Sequence, residues 1–302
     1  MGRFDEYIAP AGARVGLWRP FLGLIIALAV WVTGIVLLVL GVAIMRILSG
    51  REAEIDSISA LAGGGSPEAT AFILASFWGI WAGLALALWL CHRQRFGTLI
   101  APERRVRWRE ARLGLYIALA IFGLSILPAF VIEGAPRRTE LPLGDWAFWL
   151  LIFIPLIWVQ AGAEELLFRG YLVQQIAIRL RHPLLWAVPP AALFGALHYN
   201  PGLPGSAGLL YALATFCIGL STAVMTYRTG SLSAAMGFHF GINILGVTVV
   251  GAEGLIEGSQ LFVYNAEAAL NLLGIDTIAH FLLLGWLLSP WSPFRRGLDA
   301  SA

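Results

Sequence analysis

The sequence predicts an all-α integral membrane protein, a bundle of about eight transmembrane helices with both termini cytoplasmic. Three observations predict it. Of the 302 residues, 59% are hydrophobic and only 13% are charged, against about a quarter charged in ordinary soluble domains. The mean hydropathy of +0.79 is more than one soluble core has room to bury. Finally, the charged residues collect between apolar stretches, in loops that alternate between basic and acidic or neutral. A soluble enzyme, a disordered chain and a nucleic-acid binder are thereby excluded.

The spans are expected at 21–45, 70–90, 113–132, 146–160, 183–199, 205–226, 232–250 and 275–288. The first follows a polar leader and is too long for a cleaved signal. The loop after it is acidic, with Glu52, Glu54, Asp56 and Glu68 against Arg46 and Arg51. The next is strongly basic: Arg93, Arg95, Arg104, Arg105, Arg107, Arg109 and Arg112. Further on, Arg179 and Arg181, Arg228, and Arg295 and Arg296 fall on the same side, and Glu253, Glu257 and Glu267 on the other. The positive-inside rule puts the basic side in the cytoplasm. Arg137 and Arg138 break the pattern, but Glu133 and Glu140 accompany them. The run from Gly63 to Pro67 is expected to be an outer turn, and Trp18, Trp108, Trp146, Trp286 and Trp291 interfacial anchors. Cys91 and Cys217 read as small packing residues. The chain divides into a three-span region without motifs (1–145), a core (146–250), and an acidic outer loop with the last span and a cytoplasmic tail (251–302).

Ionisable groups within spans cost at least about 2.5–3.5 kcal/mol each, so three polar clusters need a reason. They are the run from Gln160 to Gly170 with Glu164, Glu165 and Arg169; His198, with Phe194 a turn before it; and His239 with Asn243. At about 100° per residue, Glu165 and Arg169 lie near one face and Glu164 points away. One carboxylate is thus expected to be ion-paired and the other available. His239 and Asn243 share a face. Position 181 is midway between Glu164 and His198 and falls on the expected turn at Arg181-His182-Pro183. In an antiparallel pair both residues then lie about 25 Å from that turn, with His239 about 14 Å deep and Asn243 about 20 Å. The four can share a pocket, expected to open toward the cytoplasmic half. The long run from Trp146 needs a bend, which Pro155 or Gly162 can supply. His280, in the last span, shows no partner.

At these residues the sequence resembles the membrane-embedded CAAX-protease and bacteriocin-processing (CPBP, or Abi) family, which includes the eukaryotic prenyl-protein endopeptidase. The motifs E-E-x-x-x-R, F-x-x-x-H and H-x-x-x-N occur in order as Glu164-Glu165…Arg169, Phe194…His198 and His239…Asn243. The resemblance implies an intramembrane endopeptidase acting on a peptide or lipid-anchored protein. By it, Glu164 activates water, His198 positions that water, and His239 and Asn243 stabilise the oxyanion. Glu165, Arg169 and Phe194 support them. No cofactor is fixed: zinc on Glu164, His198 and His239 stays open, although no H-E-x-x-H is present. The expected partners are membrane lipid and the substrate, with no nucleic acid. The expected location is a bacterial inner membrane. A proton-coupled carrier and a non-catalytic scaffold remain alternatives on the residues alone.

Overall fold

The computed structural model describes residues 2–50, 65–255 and 258–294. The charges expected at Arg51, Glu52, Glu54, Asp56, Glu257, Arg295 and Arg296, and residues 63–64 of the outer turn, lie outside them. The described residues form α1 (Arg3–Ile8), α2 (Trp18–Leu48), α3 (Pro67–Ser76), α4 (Trp78–Ala87), α5 (Trp108–Glu133), α6 (Leu143–Glu165), α7 (Val173–Ala177), α8 (Pro183–Leu197), α9 (Ala207–Thr229), α10 (Ser233–Thr248) and α11 (Ala269–Leu288). π-Helical turns extend α4 to His92 and join α6 to α7.

A helix therefore stands at each of the eight expected spans. Six are long and apolar enough to cross a membrane, counting α3–α4 and α6–α7 as single spans. The other two, α8 and α10, have 15 and 16 residues. At about 1.5 Å per residue they fall short of a hydrocarbon core about 30 Å thick. They end at Leu197 and Thr248, close to the expected bounds, and are followed by a turn at His198 and by extended backbone from Val250. Such backbone is tolerated at membrane depth only where protein or a cavity satisfies it.

The interior is built on small residues that let backbones approach. A Cβ on Gly83 of α4 would lie 2.6 Å from the Ala27 carbonyl oxygen of α2. One on Gly237 of α10 would collide with the Ala111 carbonyl of α5, and one on Gly114 with that of Ala234. By contrast α2 buries only Gly23 and Ala27, and presents Leu, Ile and Val outward, as a lipid-facing helix does.

The two ends of the bundle differ. At one lie α1, the loop 93–107 and the turn between α9 and α10, where Gly230 takes a left-handed φ of 63°. Arg107 ties these together, donating to Glu103, Glu110 and the Thr229 carbonyl, while its backbone N–H donates to Ser233 Oγ. The other end carries a small sheet in the order β1-β3-β2. β1 (Arg137–Arg138) pairs antiparallel with β3 (Phe262–Tyr264), and β2 (Val250–Ala252) runs parallel to β3. This sheet accounts for the arginines that broke the charge pattern. Arg137 reaches Glu253 at 3.4 Å, and Arg138 donates to the Leu141 and Leu261 carbonyls. Glu133, expected to offset them, accepts instead from Asn271. Trp18, Trp108, Trp286 and Trp291 are exposed, whereas the Trp146 indole donates to the Thr248 carbonyl.

Candidate active site

Glu164 and Glu165 end the regular part of α6, and Arg169 lies in the π-helical turn Leu166–Leu172. The irregularity of this long helix sits there rather than at Pro155 or Gly162. The adjacent carboxylates separate as their spacing predicts. Glu165 is fully buried and its Oε1 accepts from Arg169 Nη1 at 3.1 Å. The Arg169 guanidinium stacks 4.6 Å from the Phe194 ring centroid and 5.6 Å from that of Phe168. Glu164 points the other way and lines a cavity of about 360 Å³.

His239 joins the two carboxylates. Its Nδ1 donates to Glu165 Oε1 at 2.8 Å, and its Nε2 lies 3.3 Å from Glu164 Oε2. His198 is the C-cap of α8, and its Nδ1 donates to the Phe194 carbonyl at 2.8 Å. That bond fixes the neutral tautomer: Nε2 carries the lone pair. Phe194 packs against His198, His239 and Phe168, with centroid separations of 4.5, 5.8 and 5.1 Å. Asn243 Nδ2 donates to Gln160 Oε1 at 2.7 Å, which orients its amide and leaves the second N–H for the cavity.

The structure thus brings Glu164, His198, His239 and Asn243 to one cavity, lined also by Phe194, with Glu165 and Arg169 directly behind. Gln160, Tyr211 and Asp276 line it too and were given no role from the sequence. Gln160 opens the first polar cluster, one turn before Glu164. Asp276 carries a visible signal, a carboxylate four residues before His280 in an apolar stretch. His280 does have a partner: Nδ1 donates to the Asp276 carbonyl at 2.8 Å and lies 3.4 Å from Asp276 Oδ2.

One expectation changes. The cavity does not extend toward the basic end. Its far wall is Val250, Gly251, Leu255 and Gln260, beside the sheet. For the zinc set, no three His, Cys, Asp or Glu side chains converge as metal ligands among the described residues. The Nδ1 bonds of His239 to Glu165 and of His198 to the Phe194 carbonyl are nevertheless of the kind that orients a ligating imidazole and leaves Nε2 for a partner.

What this arrangement can do is limited by its chemistry. It offers one solvent-reachable carboxylate, an imidazole lone pair, and an amide N–H held in place, all beside an apolar cavity. That is a base and an oxyanion donor for hydrolysis of an acyl group.

Comparison with known proteins agrees with the geometry. Residues 144–245 match the family described as type II CAAX prenyl endopeptidase, Rce1-like. The chain is 24% identical over 248 residues to the uncharacterized protein YyaK of Bacillus subtilis, covering 80% of each. It is 29% identical over 223 residues to the multidrug resistance protein MdtH of Citrobacter koseri, covering 70% of this chain but only 51% of that one. Against MdtH of Escherichia coli O157:H7 it is 28% identical over 241 residues, spanning 56% of that protein. No solved structure matches. The matched residues run from the start of α6 to α10 and include every one of the three motifs. Across residues 144–245 the chain thus carries a domain similar to the Rce1-like type II CAAX prenyl endopeptidases.

Proposed function

We propose that the protein hydrolyses a peptide bond of a membrane-associated substrate with a water activated by Glu164, without a metal ion. Glu164 takes a proton from water as the water oxygen attacks the scissile carbonyl carbon. The His198 lone pair at Nε2 accepts a hydrogen bond from that water and aims it. Negative charge then develops on the carbonyl oxygen, where the free Asn243 N–H stabilises it, while His239, held between Glu165 and Glu164, keeps Glu164 facing the water. Collapse of the intermediate breaks the C–N bond, and the proton held by Glu164 passes to the leaving amine. Glu165, Arg169 and Phe194 keep His239 and His198 in place.

The observation that carries this reading is the division of labour between neighbours. Glu164 is 12% exposed, into the cavity, while Glu165 is 0% exposed and bonded to Arg169 and His239. A scaffold would have no reason to leave one carboxylate of the pair open to the cavity. The location of the basic residues adds a direction. If the basic end is cytoplasmic, the cavity extends toward the opposite side of the membrane, and the substrate segment enters from there.

The test is proteolysis by the purified protein in nanodiscs, on a pooled library of lipid-anchored peptides read by mass spectrometry. Cleavage should survive a chelator and disappear in Glu164→Gln. Loss on chelation, restored by zinc, would overturn the metal-free mechanism. Undiminished cleavage by Glu164→Gln would overturn the assignment of the base. Substrate transport without cleavage would favour a carrier.

A further inference from the structure

We propose that Asp276 selects a positively charged group on the substrate. The proposal rests on the endopeptidase reading and adds a substrate class to it. Asp276 lies on α11, outside the residues 144–245 that match the family. Its side chain is 33% exposed and lines the cavity.

The carboxylate is held from behind. Ser125 Oγ of α5 donates to Oδ1 at 3.0 Å, and the fully buried His280 lies 3.4 Å from Oδ2. The next residue, Thr277, donates to the Leu210 carbonyl at 3.3 Å, which sets Asp276 level with Tyr211 on α9. The Tyr211 ring in turn packs edge-on to His198 at 5.7 Å. A fixed carboxylate therefore stands across Tyr211 from the water-positioning histidine.

Charge complementarity names the ligand. The described residues lining the cavity include Glu164 and Asp276 but no Arg or Lys. The cation nearest the motif, Arg169, is buried behind Phe194 and paired with Glu165. If Asp276 served only to join α5 to α11, a neutral polar residue would do so without the cost of an ion inside a span. It would also have no need to face the cavity. A cationic nitrogen on the substrate answers both points, whether an Arg or Lys side chain near the cut or a free amino terminus.

The experiment compares matched lipid-anchored peptides that place Arg, citrulline or Glu within three residues of the cut, each with a free or acetylated amino terminus. Citrulline keeps the shape of Arg and removes the charge. Wild-type protein in nanodiscs should favour Arg over citrulline by about tenfold or more in kcat/KM, with Glu slowest. Asp276→Asn should bring the Arg-to-citrulline ratio to about one. A preference that follows acetylation instead of the side chain would assign the subsite to an amino terminus. Equal rates on all peptides by wild type, or a ratio unchanged in Asp276→Asn, would overturn the proposal. If that variant does not fold, the wild-type ranking decides alone. Binding of the same peptides to Glu164→Gln, read by fluorescence, separates the two readings. Failure of all cleavage counts against the endopeptidase. A missing Arg-over-citrulline preference in binding counts against Asp276.

Discussion

Glu165 Oε1 accepts from His239 Nδ1 at 2.8 Å and from Arg169 Nη1 at 3.1 Å, so a single oxygen anchors the histidine of one motif and the arginine of another. The first prediction follows from that sharing. Glu165→Gln leaves a buried guanidinium without its counter-charge, and removing one partner of a buried pair typically costs about 3–5 kcal/mol. Glu164→Gln removes a partly exposed carboxylate whose neighbour, His239 Nε2, lies at the longer distance of 3.3 Å, and should cost little stability. Thermal unfolding in detergent should therefore drop sharply for Glu165→Gln and barely for Glu164→Gln, while cleavage is lost in both. Equal stability of the two variants would contradict the assigned roles.

Much of this geometry was legible in the sequence because it is local or follows from helix arithmetic. The four-residue spacing gave the Glu165–Arg169 pair, and the midpoint at position 181 brought Glu164 level with His198. What was not legible is the small sheet: the apolar run 232–250 does not show that extended backbone begins at Val250 and, with Gly251, forms the far wall of the cavity. Asp276 was missed for a different reason: its contacts with Ser125 and the cavity join helices far apart in the chain, although its spacing to His280 was there to see.

The Gln160–Asn243 bond yields a second prediction. The Asn243 amide is useful as an oxyanion donor only if its orientation is fixed, and Gln160 Oε1 fixes it at 2.7 Å. Gln160→Leu keeps the volume and removes the acceptor. It should lower kcat by about 10- to 100-fold with KM little changed, because only an interaction made in the transition state is lost. Asn243→Ala should cost about 10²–10³-fold, the size expected for an oxyanion donor. A rise in KM with kcat intact would instead assign both residues to ground-state binding.

The helix seam between α5 and α10 makes a third. A Cβ at Gly237 would collide with the Ala111 carbonyl, whereas nothing lies within 4 Å of one at Gly246 on the same helix. Gly237→Ala should destabilise by about 1–3 kcal/mol or more through overpacking. Gly246→Ala should be neutral or slightly stabilising, since alanine is favoured over glycine by about 1 kcal/mol in a helix. Because His239 lies two residues from Gly237, the first variant should also lower cleavage measured well below its unfolding temperature. Parallel unfolding and activity assays on the pair check both statements.

The fourth prediction concerns Tyr7, which fastens α1 beneath the motif helix. Its hydroxyl is directed at the Leu99 carbonyl at 2.8 Å and the Arg169 carbonyl at 3.2 Å, and the side chain is fully buried. Burial, with a smaller contribution from the Glu165 charge, pushes the phenol far above its ordinary value, against an opposing hydrogen bond from Gln174. The hydroxyl therefore stays a donor throughout the neutral range. Tyr7→Phe leaves buried carbonyls without this partner and should cost about 1–3 kcal/mol. The pH dependence has a definite sign. A group whose folded pKa is raised contributes stability that is complete below its unfolded pKa, about 10 for tyrosine, and is lost as pH rises from there toward the folded value. Wild-type stability should fall between neutral pH and about pH 11 more steeply than that of Tyr7→Phe, so the gap between the two unfolding temperatures narrows. A gap that stays constant or widens with pH would mean that the hydroxyl at this position does not act as a buried donor.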